Sequence, residues 1–392
     1  MGVGAVQKNL LTISKFVAPE IIFGLGALSQ VGESAARLGI RKVFLVSDPG
    51  VVNAGWVEKA LSYLKEVGIS AVVWYNLTTN PKDSEVAQGV NRYLESGCDG
   101  IVAVGGGSPI DAAKAIAILA TNGGQIKDYE GVNKITSPLP PMVVVATTGG
   151  SGAEVSQFSM IVEKGRRVKM AIISKSLIPD IAIIDPLLLQ TKSTRLTAAT
   201  GVDALSHAIE AYVSLAATPL TDVHALAAIR LIASNLRESV ACKTNLEAKS
   251  AMAMASLQAG LAFSNAILGA THAMTHQVDG LLDLHHGETN GILLPYVMEF
   301  NLISCGDKFV HIADAMGVQT TGLGKWKAAE KGIAAVRRLF RDVGIPEKLS
   351  QVGLKEAHIK ELSANALRDA CLVTNPRDAG VEEIEALYKR AL

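Results

Sequence analysis

The amino-acid sequence predicts an α/β domain followed by an all-helical domain, and three observations carry that reading. Short β-branched runs alternate with helical patterns through the first half, as expected of a mostly parallel sheet with crossover helices. Those runs stop at Asp185–Pro186. From about residue 193 onward the chain is rich in Ala and Leu, with long stretches of 3.6-residue period and no convincing strand. The expected boundary lies near residue 187, giving an α/β unit over residues 1–186 and an all-helical unit over 187–392.

The strand candidates are KVFLVS (42–47), SAVVWY (70–75), GIVAVG (100–105), MVVVAT (142–147), MAIIS (170–174) and DIAIID (180–185). Between them, WVEKALSYLKEVG and DSEVAQGVNRYLESG each close at a glycine, a common helix stop. In the second half TAATGVDALSHAIEAYVS, TDVHALAAIRLIASNL and KWKAAEKGIAAVRRLF read as long helices. No repeat, low-complexity tract or flexible linker separates the two units. They are expected to pack tightly, with a ligand cleft between them.

Size and charge narrow the function classes. The chain has 392 residues, 49% apolar and 19% charged, ample for sizeable cores. Lys+Arg and Asp+Glu both number 37, so a net charge of zero makes no electrostatic case for nucleic acid or an anionic membrane. Small molecules are the expected partners. Cys98, Cys242, Cys305 and Cys371 lie far apart with no C-x-x-C pair. That argues against a disulfide framework or a thiolate metal site and fits a reducing cytoplasm. Lysines interrupt the short apolar run of residues 1–20 and no small-residue cleavage site follows, so no signal peptide is expected. No uninterrupted run of about 18 apolar residues is present to span a bilayer.

GIVAVGGGSPIDAAKAIAI places Gly105, Gly106 and Gly107 between a strand and a helix expected to open with Ser108 as N-cap, Pro109 at its first position and Asp111 in its first turn. Glycines admit close backbone approach and a helix start presents free N–H groups, which suits a diphosphate. A second glycine-rich turn, ATTGGSGAEVS (146–156), adds hydroxyls from Thr147, Thr148 and Ser151. The first matches neither the G-x-G-x-x-G nor the Walker A pattern. Asp48 ends the run KVFLVSD, where a carboxylate accepts from an adenosine ribose and repels a 2′-phosphate, favouring NAD over NADP. A turn aspartate before Pro49 is the bland alternative. The acid precedes the glycines instead of following them by about 20 residues, which argues against an ordinary Rossmann order.

Four of the eight histidines fall in GATHAMTHQVDGLLDLHHGETNG (269–291), and a fifth follows an aspartate by one helical turn in TGVDALSHAIEAY. His272 and His276 are four apart, as are Asp203 and His207, so on helices each pair shares a face. Two imidazoles, a carboxylate and a further imidazole from the His285–His286 corner suit one divalent cation.

Taken together, these motifs resemble the iron-containing (group III) alcohol dehydrogenase family over nearly the whole chain. The resemblance rests on GGGSPIDAAKAIA, TTGGSGAEVS, KMAIISKSLIPDIAIIDPLL, ATGVDALSHAIEAYVS, NAILGATHAMTHQVDGL with its HHG corner, and ILLPYVMEFN, in that order. It implies a dehydroquinate synthase-like fold, with an N-terminal NAD(P)-binding α/β domain, a helical C-terminal domain and one Fe(II) between them. By motif, the implied ligands are Asp203, His207, His272 and His286. His276 matches the family histidine beside the substrate, which is given a proton-relay role. Asp48, Gly105, Gly106, Gly107, Ser108, Thr147, Thr148, Ser151 and Lys169 fall where the family contacts its dinucleotide. A donor set without thiolate suits Fe(II), with zinc an open competitor. The implied activity is hydride transfer between a primary alcohol or aldehyde and NAD(H). A polyol dehydrogenase of glycerol or 1,3-propanediol type is the alternative. A cytoplasmic homo-oligomer is expected. A dehydroquinate synthase-like lyase, which holds an anionic substrate with many basic residues, fits these apolar, histidine-rich motifs less well.

Two departures from the family pattern matter. The usual Pro-His-Gly corner is His285-His286-Gly287, and alignment on Gly287 favours His286 as the ligand. The usual Leu-Gly-Gly or Leu-Gly-Ala after the second helix histidine is Val278-Asp279-Gly280. As a charged residue, Asp279 is expected at a solvated or helix-end position. Lys114 reads as an exposed helix former, Phe158 as core, and His224, His311 and His358 as solvated or satisfied structural histidines.

Overall fold

The computed structural model describes residues 15–392; most of the segment read as lacking a signal peptide lies outside the described residues. Nine strands are found among them: β1 (Glu20–Phe23), β2 (Lys42–Val46), β3 (Ser70–Trp74), β4 (Gly100–Gly105), β5 (Gly131–Val132), β6 (Met142–Ala146), β7 (Phe158–Glu163), β8 (Val168–Ile173) and β9 (Ile181–Ile184). Six form one sheet in the order β1-β9-β6-β4-β2-β3, with every neighbouring pair parallel. Helices α1 (Val31–Arg37), α2 (Pro49–Asn53), α3 (Trp56–Glu66), α4 (Asp83–Ser96) and α5 (Gly107–Asn122) run between these strands. Both faces of the sheet are covered, so its central strands are apolar on both sides. In β2, Val43 and Leu45 pack with α1 and α3, while Phe44 and Val46 pack with α4 and α5.

The run at 170–174 is a strand, but it does not join the parallel sheet. It belongs to β8, which pairs antiparallel with β7 and parallel with β5 in a separate three-stranded sheet. Only residues 164–167 separate β7 from β8. A parallel crossover needs a dozen or more residues, so a hairpin is the only short-range solution.

Beyond β9 the described chain is helical: α6 (Thr194–Val213), α7 (Pro219–Ala241), α8 (Leu246–Ala266), α9 (Ala270–Leu282), α10 (His286–Asn301), α11 (Gly306–Ala315), α12 (Lys325–Asp342), α13 (Ile359–Ala366) and α14 (Val381–Ala391). Ser193, Thr218 and Asn245 cap α6, α7 and α8 by accepting from Leu196 N, Thr221 N and Ala248 N. Those caps start α6 and α7 earlier than the apolar periodicity alone suggests. Helix α6 is the axis of this part, with every residue from Gly201 to Val213 buried. No single helix among the described residues is long and apolar enough to cross a membrane.

Two expectations near the first glycine turn are corrected. Helix α5 opens at Gly107 with Gly106 as its cap, so Ser108 lies inside the first turn and is not the N-cap. The loop from β4 is therefore tighter than the Ser-Pro pair suggests. A Cβ on Gly105 would lie 2.4 Å from Pro109 Cγ, which leaves no room for any other residue. Lys114 is wholly buried, not exposed. Its ammonium donates to the carbonyls of Ala153 (2.7 Å), Ser156 (2.7 Å) and Phe158 (3.0 Å), tying α5 to the second glycine turn. Burial pulls this ammonium down to about 8.

Replacing Lys114 by methionine leaves those three carbonyls without their donor. The expected loss is on the order of 3 kcal/mol. Differential scanning calorimetry should show a lower unfolding midpoint for Lys114→Met; an unchanged midpoint contradicts a structural role for the clamp.

Candidate metal centre and cofactor cleft

Asp203, His207 and Glu210 follow one another at spacings of four and three along α6, so they form one polar stripe on a buried helix. Opposite them, α9 carries His272 and His276, and α10 begins at His286. Gly287 brings these helices together. A Cβ there would stand 2.0 Å from Ala199 O on α6, so only glycine lets the start of α10 press against the turn that bears Asp203. The junction from α8 to α9 is strained as well. Ile267 has φ 61° and ψ −168°, a region almost confined to glycine.

One donor atom each from Asp203, His207, His272 and His286 lies within 4.8 Å of the others. The Nε2 atoms of the three histidines stand 3.9, 4.0 and 3.9 Å from Asp203 Oδ1. That is too long for hydrogen bonds, yet short enough for the atoms to share an ion with bonds of about 2.0–2.2 Å. The Nδ1 atoms explain the arrangement. His272 Nδ1 donates to Glu210 Oε2 at 2.6 Å, His286 Nδ1 to Asp279 Oδ2 at 2.6 Å and His207 Nδ1 to the Gly150 carbonyl at 3.3 Å. Each ring thus has one nitrogen spent on a fixed acceptor and the other turned to the common centre. Burial pulls His207 down to about 4 and His286 well below its usual value, so both are neutral near pH 7 and fit as ligands for a divalent cation.

Four residues of this site escaped sequence reasoning. Glu210 takes the backbone N–H groups of Gly269 (3.0 Å) and Thr271 (2.6 Å) at the start of α9 as well as His272. Burial opposes its ionisation, but the His272 and Thr271 donors hold it below the ordinary carboxylate range. The three-residue step from His207 was the available signal. Asn290, four residues after His286, donates through Nδ2 to Asp203 Oδ1 (2.8 Å) and to His272 Nε2 (3.1 Å). Asp369 accepts from His276 Nδ1 at 2.8 Å. Nothing in the spacing announces that pair, which is 93 residues apart. Burial works against ionisation of Asp369, and the His276 contact more than offsets it, holding the carboxyl below its usual range. Asn80 is described below with Lys169.

Asp279 stands near the end of α9, as one alternative expects, but it is not solvated: it is 1% exposed and lies between His286 and Thr289, whose hydroxyl donates to Oδ1 at 2.9 Å. Burial raises its carboxyl to about 7, against the pull of Lys169. The single-sequence prior for charged residues failed because two donors face it. His285 is not one of the clustered donors; it lines the cleft and its buried Nδ1 has no hydrogen-bond partner among the described residues. His224 and His311 are satisfied by Gln258 and Tyr212.

The centre opens onto a cleft of about 1060 Å³ whose other wall is the carboxyl end of the parallel sheet. Open α/β sheets bind ligands at that end. Asp48, Gly106, Gly107, Ser108, Thr148, Ser151 and Lys169 line it; Gly105 and Thr147 do not and instead pair behind it, Thr147 N donating to Gly105 O at 2.9 Å. Asp48 follows β2 and caps α2, accepting from Val51 N at 3.0 Å. Lys169 on β8 donates to Asn80 Oδ1 at 3.0 Å. Phe158 is both buried and part of the cleft wall, beside Phe263, which stacks on His207 at 4.3 Å between ring centroids.

Comparison with known proteins agrees with this arrangement. Residues 18–186 match the family described as iron-containing alcohol dehydrogenase, and residues 197–392 match the C-terminal part of the Fe-containing alcohol dehydrogenase family. The chain is 46% identical to a 1,3-propanediol dehydrogenase of Klebsiella pneumoniae over 96% of its own length and 98% of that protein. It is 41% identical to an NAD-dependent methanol dehydrogenase of Bacillus methanolicus, over 96% of this chain and 99% of that one. A crystal structure of a 1,3-propanediol oxidoreductase superposes with a TM-score of 0.95 at 45% identity, covering 97% of this chain and all of the other. With both halves matched, and with a thiolate-free cluster of three imidazoles and a carboxylate facing the cleft, the chain belongs to the iron-containing alcohol dehydrogenase family and is an oxidoreductase.

Proposed function

We propose that this enzyme interconverts short primary alcohols and their aldehydes with NAD(H), using Asp203, His207, His272 and His286 to hold a divalent iron. The observation that carries the reading is the convergence of three Nε2 atoms on Asp203 Oδ1 at the floor of the cleft. Iron bound there supplies Lewis acidity to the substrate oxygen. Zinc suits the same donors. Phe158, Phe263 and Leu268 give the substrate carbons an apolar wall. His276 handles the alcohol proton. Its Nδ1 donates to Asp369, so Nε2 is the ring nitrogen left to accept, and the Asp369 carboxylate fixes the tautomer and stabilises the imidazolium that results.

On the other wall, the backbone of Gly106 and Gly107, with Ser108, Thr148 and Ser151, binds the diphosphate of NAD at the start of α5. Gly105 and Thr147 support that turn from behind. Asp48 takes the adenosine ribose hydroxyls and disfavours a 2′-phosphate, and Lys169 lies on the nicotinamide side with the metal ligands. The cofactor half runs to residue 186 and the metal half from 187 to 392. The protein works as a cytoplasmic homo-oligomer. A second reading, a 1,3-propanediol-type substrate, is favoured by the 46% identity to a 1,3-propanediol dehydrogenase.

Three measurements follow. Oxidation of NADH by a panel of primary aldehydes, anaerobically and with Fe(II) restored after chelation, should show metal-dependent turnover; activity indifferent to the metal contradicts the proposal. Asp203→Ala and His207→Ala should lose metal and turnover together, whereas His276→Ala should keep near-stoichiometric metal while turnover falls about 100-fold. Metal loss from His276→Ala would reassign that residue as a ligand. Asp48→Ser should raise the kcat/KM ratio of NADPH to NADH about tenfold, equivalent to removing about 1.4 kcal/mol of discrimination. An unchanged ratio removes Asp48 from the cofactor site.

A further inference from the structure

Asp279 stands where the family pattern read from the sequence has a glycine, so this chain places there a carboxylate that a glycine cannot supply. Its two oxygens are fully used inside the helical half. Oδ2 receives His286 Nδ1 at 2.6 Å and Oδ1 receives the Thr289 hydroxyl at 2.9 Å. The same carboxylate also faces the other half of the molecule, with Lys169 Nζ on β8 at 4.0 Å from Oδ2. Lys169 in turn donates to Asn80 Oδ1 at 3.0 Å, and Asn80 Nδ2 donates back to Asp283 Oδ1 (2.9 Å) and Leu284 O (3.2 Å). Asn80 sits in the loop after β3, is buried, and has φ 52°, a left-handed conformation that asparagine tolerates better than most residues. Lys82 adds an ion pair to Asp283 at 3.3 Å. The turn between α9 and α10, which delivers His286, is therefore gripped from the nucleotide half through residues 80, 82 and 169.

We propose that Asp279 is a positioning residue for the metal centre, which fixes the tautomer and ring angle of His286 and ties that ligand to the cofactor-binding half through Lys169 and Asn80. The inference rests on the reading of His286 as a ligand. A carboxylate on Nδ1 orients the ring and makes Nε2 a better donor, and loss of such a partner typically costs 10–100-fold in metal affinity. His272 has the same device in Glu210, but there the carboxylate comes from the neighbouring helix α6 and, among the described residues, accepts only from groups of the helical half. Asp279 instead faces the α/β half, where α9 packs on β8. A chain with glycine at this position keeps the ligand and lacks the tether, so the expected effect is on how tightly and in what geometry the metal is held.

The test is competition of full-length protein with a chelator for Co(II), together with the visible absorption of the Co(II) form, in Asp279→Gly, Asp279→Asn and His286→Ala. Asp279→Gly should raise the Co(II) dissociation constant about 10–100-fold and shift the absorption bands, with Asp279→Asn intermediate because an amide still accepts from Nδ1 without the charge. Asparagine is nearly isosteric, so this variant decides the matter if glycine unfolds the protein. Affinity within about twofold of the parent and unchanged bands in the asparagine and any folded glycine variant overturn the proposal. If His286→Ala alone loses metal while the Asp279 variants keep it, the positioning role fails and the ligand role stands. If His286→Ala retains parental affinity, the ligand reading itself fails.

Discussion

The rest of the molecule depends on a single electrostatic constraint: three imidazole rings must be buried side by side, neutral, with the same nitrogen facing the same point. Burial makes His207 and His286 neutral; it does not aim them. Aim comes from the acceptor on each Nδ1, a carbonyl for His207 and carboxylates for His272 and His286. The fold is arranged to deliver those acceptors. Gly150 comes from the second glycine turn of the α/β half, Glu210 from the same helix face as Asp203, and Asp279 from the last turn of α9. The second glycine turn and the histidine cluster are thus not separate modules. Gly150, whose carbonyl aims His207, is followed at once by Ser151 on the cleft wall.

Such a centre is held at a local cost. Buried carboxylates and imidazoles gain nothing from the hydrophobic effect, and Ile267 holds a backbone conformation that a β-branched residue avoids. The surrounding packing offsets this. Helix α6 is buried over its whole second half, and Gly287 allows α10 to approach it more closely than any side chain would permit. Lys114 serves the opposite wall in the same way, with two carbonyls of the second glycine turn and one at the start of β7 converging on one ammonium. Both walls of the cleft are thus fixed by buried polar contacts, so the groups that line it are held in place.

Most of the architecture and the four clustered donors were legible in the sequence because they depend on local periodicity and short motifs. Alternating apolar runs marked the sheet, and i, i+4 spacing put Asp203 with His207 and His272 with His276. What the sequence hid was nonlocal or contrary to averages. The hairpin of β7 and β8 is dictated by a four-residue connection that excludes a crossover, a length argument that residue composition does not make. Asp369 reaches His276 from 93 residues away. A charged side chain on a helix suggests exposure for Lys114 and a solvated or helix-end position for Asp279; each is buried where several partners from other segments converge on it. Buried charge is the rule-breaking choice that marks a site, and only the tertiary contacts reveal it.

The most direct measurement is anomalous diffraction at the iron edge from crystals of the Fe(II)-loaded enzyme. One peak is predicted, within bonding distance of Asp203 Oδ and the Nε2 atoms of His207, His272 and His286, with the three Nδ1 contacts intact. A peak instead among His276, Asp369 and Cys371, or none in the cleft at full metal loading, would contradict the account.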